Sequence, residues 1–205
     1  MLSKTASQYP EVGDVRVIAI LPALTKLYEV FLQRELQKNI DQAHPLHPNQ
    51  RGFVKNGSCQ KNIADLIKFV EKAQNEMKAL ITAKVPLERR VRTYLVYIDL
   101  RKAFDGVDRA KLVETMESNG FDPSIVKAYK RFCDDMKLKL SSGAEVVTNV
   151  GVVQGGVTSP SSFAIMMDPM LRALNEVCPT LALADDLVSI CRGEDQLREL
   201  LRSLE

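Results

Sequence analysis

Three aspartates stand beside short apolar runs and have the chemistry to hold divalent cations together. Asp99 follows the β-branched and aromatic run Tyr94–Ile98, which predicts a buried strand. Asp185 and Asp186 interrupt the apolar stretch Leu181–Ile190, which predicts two short strands joined by a tight turn. Adjacent carboxylates repel each other unless a cation neutralises them. Three aspartates at strand ends therefore suit a pair of Mg²⁺ ions about 4 Å apart, an arrangement that promotes displacement at phosphorus.

The same aspartates also fit ordinary turn chemistry. An aspartate at a strand end is often a turn former or a helix cap, and a pair of aspartates in a hairpin is a common turn. Asp108, for example, precedes the amphipathic run Ala110–Asn119 and predicts a helix N-cap. What favours a functional interpretation of Asp99 and the Asp185–Asp186 pair is the glycine-bearing stretch Gly151–Asp168 that lies between them.

Three short motifs follow one another along the chain. Asp99–Asp105 has the pattern D-x-x-x-A-F-D, Gln154–Phe163 has Q-G-x-x-x-S-P-x-x-F, and Ala184–Asp186 is A-D-D. In this order and spacing they resemble the motifs of reverse transcriptases, especially those of non-LTR retrotransposons and group II introns. The resemblance extends from about Val15 to the end of the chain.

The resemblance implies a two-metal catalytic site. The aspartates that match Asp99 and Asp185 bind both metal ions in that family, and the one that matches Asp186 is the supporting third carboxylate. These three residues are therefore the predicted catalytic and metal-binding residues, and Mg²⁺ or Mn²⁺ is the predicted cofactor. The implied reaction is attack of a primer 3′-hydroxyl on the α-phosphate of a dNTP.

Four further residues are predicted to bind substrate because they match family motifs. Phe104 corresponds to the residue that rejects a 2′-hydroxyl, and Gln154 and Gly155 correspond to residues near the nascent base pair. Arg16 begins the stretch R-V-I-A-I-L-P-A-L-T-K-L-Y-E, which resembles the fingers motif R-P-I-x-x-x-P-x-x-x-K-x-x-E. There it would lie near the triphosphate. The family's proline is Val17 here, and a surface arginine on an edge strand is the alternative.

The fold implied is α+β: the fingers and palm of a right-hand polymerase, with an antiparallel sheet backed by helices and no thumb. Residues 1–14 are expected to form an extended N-terminal arm, residues 15–92 partial fingers, and residues 93–205 the palm. Leu183 precedes the A-D-D motif where the family usually has Tyr or Phe. Because the family's thumb should follow this motif, we expect the chain to be incomplete on its own, with a protein partner covering its C-terminal end.

Two loop segments add to this picture. The stretch Gln50–Phe53, followed by Gly57 and Ser58, resembles the family's Q-x-G-F-x-x-G-x-S segment and precedes a predicted long helix. Lys84–Arg92 is a short basic loop that could be a solvated connection or a contact to backbone phosphates.

Composition limits the alternatives without identifying a function. The chain has 205 residues, 28 basic against 26 acidic side chains and a net charge of +2, so charge alone does not suggest nucleic acid. Four widely spaced cysteines without a C-x-x-C pair disfavour zinc and predict a reducing, intracellular compartment, whether nuclear, cytoplasmic or organellar. No run is long enough to predict a membrane span.

Two functions from different classes follow. The first is a reverse-transcriptase-like core that carries out template-directed nucleotidyl transfer, with an RNA template, a DNA primer and dNTPs as partners. The alternative is a catalytically inactive, reverse-transcriptase-derived structural subunit of a larger ribonucleoprotein or organellar assembly. A two-metal nuclease is a third reading, supported by the carboxylates alone.

Overall fold

The structure is a computed structural model that describes residues 2–3, 15–16, 18–42, 44–134, 136–139, 143–147 and 150–205. Most of the predicted N-terminal arm, residues 4–14, lies outside the described residues. The chain divides into two units, residues 1–45 with 102–166 and residues 46–101 with 167–205. Each unit joins two separate stretches of chain, and the division into arm, fingers and palm stays a prediction.

Helices are interspersed with short strands along the chain. The first half of the chain contains β1 (Leu2–Ser3), β2 (Val15–Arg16), α1 (Ala23–Gln42), α2 (Cys59–Thr82), a 3-10 helix (Leu87–Arg89) and β3 (Thr93–Asp99). The second half contains α3 (Arg109–Ser118), α4 (Pro123–Asp134), β4 (Lys137–Lys139), β5 (Glu145–Val147), α5 (Ser159–Val177), β6 (Thr180–Leu183), β7 (Asp186–Arg192) and α6 (Gly193–Ser203).

The first unit is mainly helical. Helix α4 packs against both α1 and α3. The core of the unit includes the fully buried side chains Leu32, Leu36, Leu112, Met116 and Tyr129. Two short antiparallel pairs, β1 with β2 and β4 with β5, belong to this unit.

The helix N-cap predicted at Asp108 is confirmed. The carboxylate of Asp108 accepts hydrogen bonds from the backbone N–H groups of Ala110 and Lys111 at 2.9 and 3.1 Å. Asp122 accepts one from Ser124 N at 2.7 Å, and Gly120, two residues beyond the last residue of α3, has φ +72°.

The second unit contains a three-stranded antiparallel sheet in the order β3-β7-β6. Helix α6 packs against β7 and β3, and α2 contacts β6. The strand β3 differs from its prediction as a buried strand, because it lies at an edge of the sheet and Tyr97 is 72% exposed. The α+β class with an antiparallel sheet and helices is confirmed. Among the described helices, none has the length and apolar content to cross a membrane.

Candidate active site

The sheet of the second unit brings two of the three predicted metal ligands face to face. Strand β3 ends at Asp99, strand β7 begins at Asp186, and the register pairs these two residues directly. Side chains directly opposite in an antiparallel pair project from the same face, with Cβ atoms roughly 4.5–5.5 Å apart. Two like charges therefore meet at one end of the sheet, which is unfavourable unless something neutralises them.

Within the described part of the chain, no side chain neutralises these carboxylates. The ion pairs there involve other acidic groups, and no described donor bonds to the side-chain carboxylates of Asp99, Asp185 or Asp186. Mg²⁺ is commonly held in proteins by one or two carboxylates, with water and substrate phosphates completing the shell. The facing pair Asp99 and Asp186 fits that donor set.

Asp185 lies in the turn beside this pair. Because Leu183 pairs with Asp186, the connection between β6 and β7 consists of Ala184 and Asp185 alone. The described residues contain no group of three acidic, histidine or cysteine side chains gathered as metal ligands. The structure thus places Asp99 opposite Asp186. Asp185 lies in the turn, outside the paired strands, and its role as a metal ligand stays a prediction.

A segment that sequence reasoning left without a role lies against this turn. Gln50 forms a parallel bridge with Ala182 of β6, flanked by hydrogen bonds from Ala182 N to Asn49 O and from Arg51 N to Ala182 O, both 2.9 Å. The side chain of Gln50 is buried and reaches Ala184. The Q-x-G-F resemblance identified this segment but gave no indication of what it contacts.

The predicted substrate-binding residues belong to the first unit, where hydrogen bonds of Phe104 and Gln154 are described. Val152 N donates to Phe104 O at 2.9 Å, and Gln154 Nε2 donates to the carboxylate of Asp105 at 2.9 Å. Ala19 N donates to Gln154 O at 2.9 Å. Gly155 is exposed at φ +101°, a conformation that favours glycine.

The side chain of Phe104 is described by the structure, whereas that of Arg16 is not. The ring of Phe104 is half-buried and stacks on Phe163, with centroids 4.7 Å apart and an interplanar angle of 15°. Arg16 lies in β2, and the position of its side chain is outside what the structure describes.

Protonation of His47 is expected to loosen the segment that leads into Gln50. Burial, followed by the nearby Arg172 charge, lowers the pKa of His47 below its ordinary 6.5, although Asp168 opposes the shift. His47 Nδ1 also accepts a hydrogen bond from Asn49 N at 3.3 Å, which only an unprotonated nitrogen can do.

Because the folded state disfavours the charged ring, this contribution to stability is complete above pH 6.5. It is lost as the pH falls toward the folded-state pKa. We expect the free energy of unfolding in urea to fall from pH 7.5 to 5.5 in the wild type, and to fall less in His47→Asn. Equal pH dependence of the two proteins over this range would contradict the assignment.

The sequence of the chain is similar to those of known proteins. The family model described as "Reverse transcriptase (RNA-dependent DNA polymerase)" matches residues 3–205. The chain is 26% identical over 203 residues to a retrovirus-related Pol polyprotein from the type-2 retrotransposable element R2DM of Drosophila melanogaster. It is 27% identical over 202 residues to one from the type-1 retrotransposable element R2 of Popillia japonica. The two alignments cover 92% and 87% of this chain, but the chain spans only 17% and 26% of those relatives.

Solved structures give a consistent picture of the fold. Apo telomerase from Candida tropicalis, truncated from its C-terminal domain, superposes with a TM-score of 0.59 at 16% identity, over 86% of this chain and 36% of that one. Telomerase from the same organism, in complex with the TWJ fragment of telomeric RNA, gives a TM-score of 0.57 at 16% identity, over 89% and 31%. At this level of identity the likeness concerns the fold alone, and it corresponds to the fingers and palm expected from the sequence.

Proposed function

Because the chain belongs to the reverse transcriptase (RNA-dependent DNA polymerase) family, we propose that it is the core of an RNA-directed DNA polymerase. The observation that carries the proposal is the direct pairing of Asp99 with Asp186 at one end of the sheet. Facing carboxylates without a described cationic partner suit a protein that gains its cations together with a triphosphate substrate. The alternative of an inactive structural subunit is not favoured by the relatives found.

The proposed reaction adds a nucleotide to a primer. The 3′-hydroxyl gives up its proton to solvent water, its oxygen forms a bond to the α-phosphorus of a dNTP, and the bond from that phosphorus to the leaving pyrophosphate breaks. Bound Mg²⁺ or Mn²⁺ supplies Lewis-acid chemistry that stabilises the charge on the phosphate oxygens. Asp99 and Asp186 would hold the cation from adjacent strands, and Asp185 would complete the set from the turn. Rigid strands suit this role because their ladder fixes where the carboxylates point.

Nucleic acid is the macromolecular partner expected for this family, with an RNA template and a DNA primer as the proposed pair. Tyr97 supports a nucleic-acid contact, since it lies two positions before Asp99 on the same face of β3 and is 72% exposed. An exposed aromatic ring can stack on a base whatever its sequence. A protein partner at the C-terminal end is also proposed, since Leu201 of α6 and Leu204 just beyond that helix are 49% and 38% exposed.

Incorporation of a single templated nucleotide tests the function directly. A labelled DNA primer annealed to RNA would be mixed with excess protein, one dNTP and Mn²⁺ or Mg²⁺. We expect the primer to grow by the nucleotide that the template specifies, and to remain unextended when EDTA removes the cation. Absence of cation-dependent extension at protein concentrations that saturate duplex binding would overturn the proposal.

Replacing Phe104 by alanine should relax the discrimination between deoxyribonucleotides and ribonucleotides. The resemblance assigns this ring to a steric clash with the 2′-hydroxyl, so its removal should raise rNTP incorporation while dNTP incorporation changes less. A loss of roughly 1–3 kcal/mol of discrimination, or about 10- to 100-fold, is expected. The measurement is the ratio of kcat/KM for a matched dNTP and rNTP.

Phe31→Ala provides the control for this variant. Phe31 lies on α1 and is 54% exposed, so its removal tests the loss of a phenyl ring without touching the predicted gate. An unchanged ratio in Phe104→Ala, or an equal change in Phe31→Ala, would refute the assignment.

A further inference from the structure

We infer that Gln50 is a positioning residue for the acidic turn Ala184–Asp185, and that it acts on Asp185 and Asp186 through the turn's backbone. The inference rests on the proposed function, because it assigns a role in aligning that site's carboxylates. The relevant contacts all lie within the second unit, between the segment Asn49–Gly52 and the hairpin formed by β6 and β7.

The side-chain amide of Gln50 forms hydrogen bonds with both backbone polar groups of Ala184 in the turn. Its Oε1 accepts a hydrogen bond from Ala184 N at 3.0 Å, and its Nε2 donates to Ala184 O at 3.3 Å. The same Oε1 also accepts from Gly52 N at 2.9 Å. With only 3% of Gln50 exposed, water cannot easily take over these bonds. One buried amide thus satisfies three backbone groups, two of them on the residue that precedes Asp185.

The turn needs such support because its backbone is strained. Ala184 adopts φ +59°, the left-handed conformation that costs a residue with a Cβ roughly 1–2 kcal/mol. Strained residues persist only where their surroundings over-determine them. Here the two hydrogen bonds between the side chain of Gln50 and the backbone of Ala184 stabilise the strained conformation of Ala184. That conformation sets the direction of the chain into Asp185.

Gln50 is itself held firmly. Asn49 Nδ2 donates to Thr180 O at 2.9 Å and to Asn175 Oδ1 at 2.8 Å, and Asn62 Nδ2 donates to Ala182 O at 2.9 Å. The two bonds of Asn49 fix the segment to β6 and to the helix before it, and the bond of Asn62 attaches α2 to β6. The side chain of Gln50 therefore connects an anchored segment to the backbone of the turn.

Glutamine has the chemistry that this site requires. Ala184 presents one donor and one acceptor, and an amide offers a matching acceptor and donor in a single plane. A glutamate would only accept, which would leave Ala184 O facing a carboxylate oxygen, and its buried charge would be costly. An apolar side chain of the same shape would leave all three backbone groups without partners.

The experiment compares wild type with Gln50→Met, which keeps the shape, and Gln50→Asn, which keeps the amide but shortens its reach. Gln196→Met is the matched control. That side chain also bonds two backbone groups of the second unit, Arg192 N at 2.7 Å and Val177 O at 2.6 Å, but at the opposite end of β7 from Asp186. Three quantities are measured: exchange of the Ala184 and Gly52 amide hydrogens, Mn²⁺ affinity without substrate, and kcat and KM for single-nucleotide incorporation.

In both Gln50 variants the two amides should exchange about tenfold faster, because each loses its acceptor. Mn²⁺ affinity should fall about 10- to 100-fold, as for other residues that orient metal ligands. We expect kcat to fall about 10²-fold with KM for the dNTP little changed, and Gln196→Met to retain wild-type values for all three quantities.

Each alternative outcome bears on a different claim. Unchanged amide exchange would overturn the contact itself. Faster exchange with wild-type Mn²⁺ affinity and kcat would overturn the positioning role. If wild type incorporates no nucleotide, the proposed function fails, and the Mn²⁺ titration still decides whether Gln50 positions the carboxylates.

Discussion

Asp99→Asn is expected to reduce single-nucleotide incorporation by at least about 10³-fold, since a metal held by this carboxylate contributes several kcal/mol to transition-state stabilisation. The asparagine has almost the same shape and keeps the end of β3 intact. It removes the charge that faces Asp186 across the strand pair. The loss should therefore appear in kcat, with the fold preserved.

The same substitution should leave the protein at least as stable as wild type in urea. Like charges directly opposite each other on antiparallel strands destabilise the pair, and the asparagine relieves that repulsion. Lost activity with retained stability is the signature of a functional carboxylate. Asp134→Asn, at the exposed end of α4, is the matched control and should keep wild-type activity. A destabilised Asp99→Asn, or one that still incorporates nucleotides at the wild-type rate, would argue against a catalytic Asp99.

Gly52→Ala is expected to destabilise the second unit by roughly 2–4 kcal/mol through a collision with backbone that cannot move aside. A Cβ at Gly52 would lie 2.8 Å from Ala184 Cα and 2.9 Å from the carbonyl carbon of Leu183, and closer still to Ala184 N. Relief requires displacing either the segment that carries Gln50 or the turn that carries Asp185. We therefore expect a lower urea midpoint together with reduced Mn²⁺ affinity.

Gly120→Ala is the control that shows the cost of a positive φ angle without a collision. Gly120 has φ +72° with open space where a Cβ would lie, so alanine there should cost only about 1 kcal/mol. It lies beyond the end of α3, in the first unit, and should not alter Mn²⁺ binding. If Gly52→Ala proved no more destabilising than Gly120→Ala, the close approach of Gly52 to the turn would be wrong.

Local signals in the sequence predicted much of the fold. The Asp108 cap and the tight turn that carries Asp185 each depend on residues within a few positions of one another. Their chemistry is therefore visible in a short window. The start of α1 is different, because the helix begins at Ala23 and Pro22 O accepts the first helical hydrogen bond from Lys26 N. Side-chain type alone favours Thr25 as the N-cap, yet Thr25 lies inside the helix.

Contacts between distant residues could not be predicted in the same way. The pairing of Asp99 with Asp186 depends on strand register, and a slip of two residues would preserve the same alternation of faces. The contact of Gln50 with Ala184 joins residues 134 positions apart. Its only sequence signal was the Q-x-G-F resemblance, which carries no information about the partner. The edge position of β3, and hence the exposure of Tyr97, likewise depends on the strand order of the sheet.

Mn²⁺ binding, followed by electron paramagnetic resonance in the absence of nucleotide, tests the central claim that these carboxylates form a cation site. Wild type and Asp134→Asn should bind Mn²⁺ with equal affinity, whereas Asp99→Asn and Asp185→Asn should bind at least about tenfold more weakly. A wild-type affinity in Asp185→Asn alone would leave the facing pair as the site. Equal affinity in all four proteins, or no binding by wild type, would contradict the claim that Asp99 and its partners hold the catalytic metal.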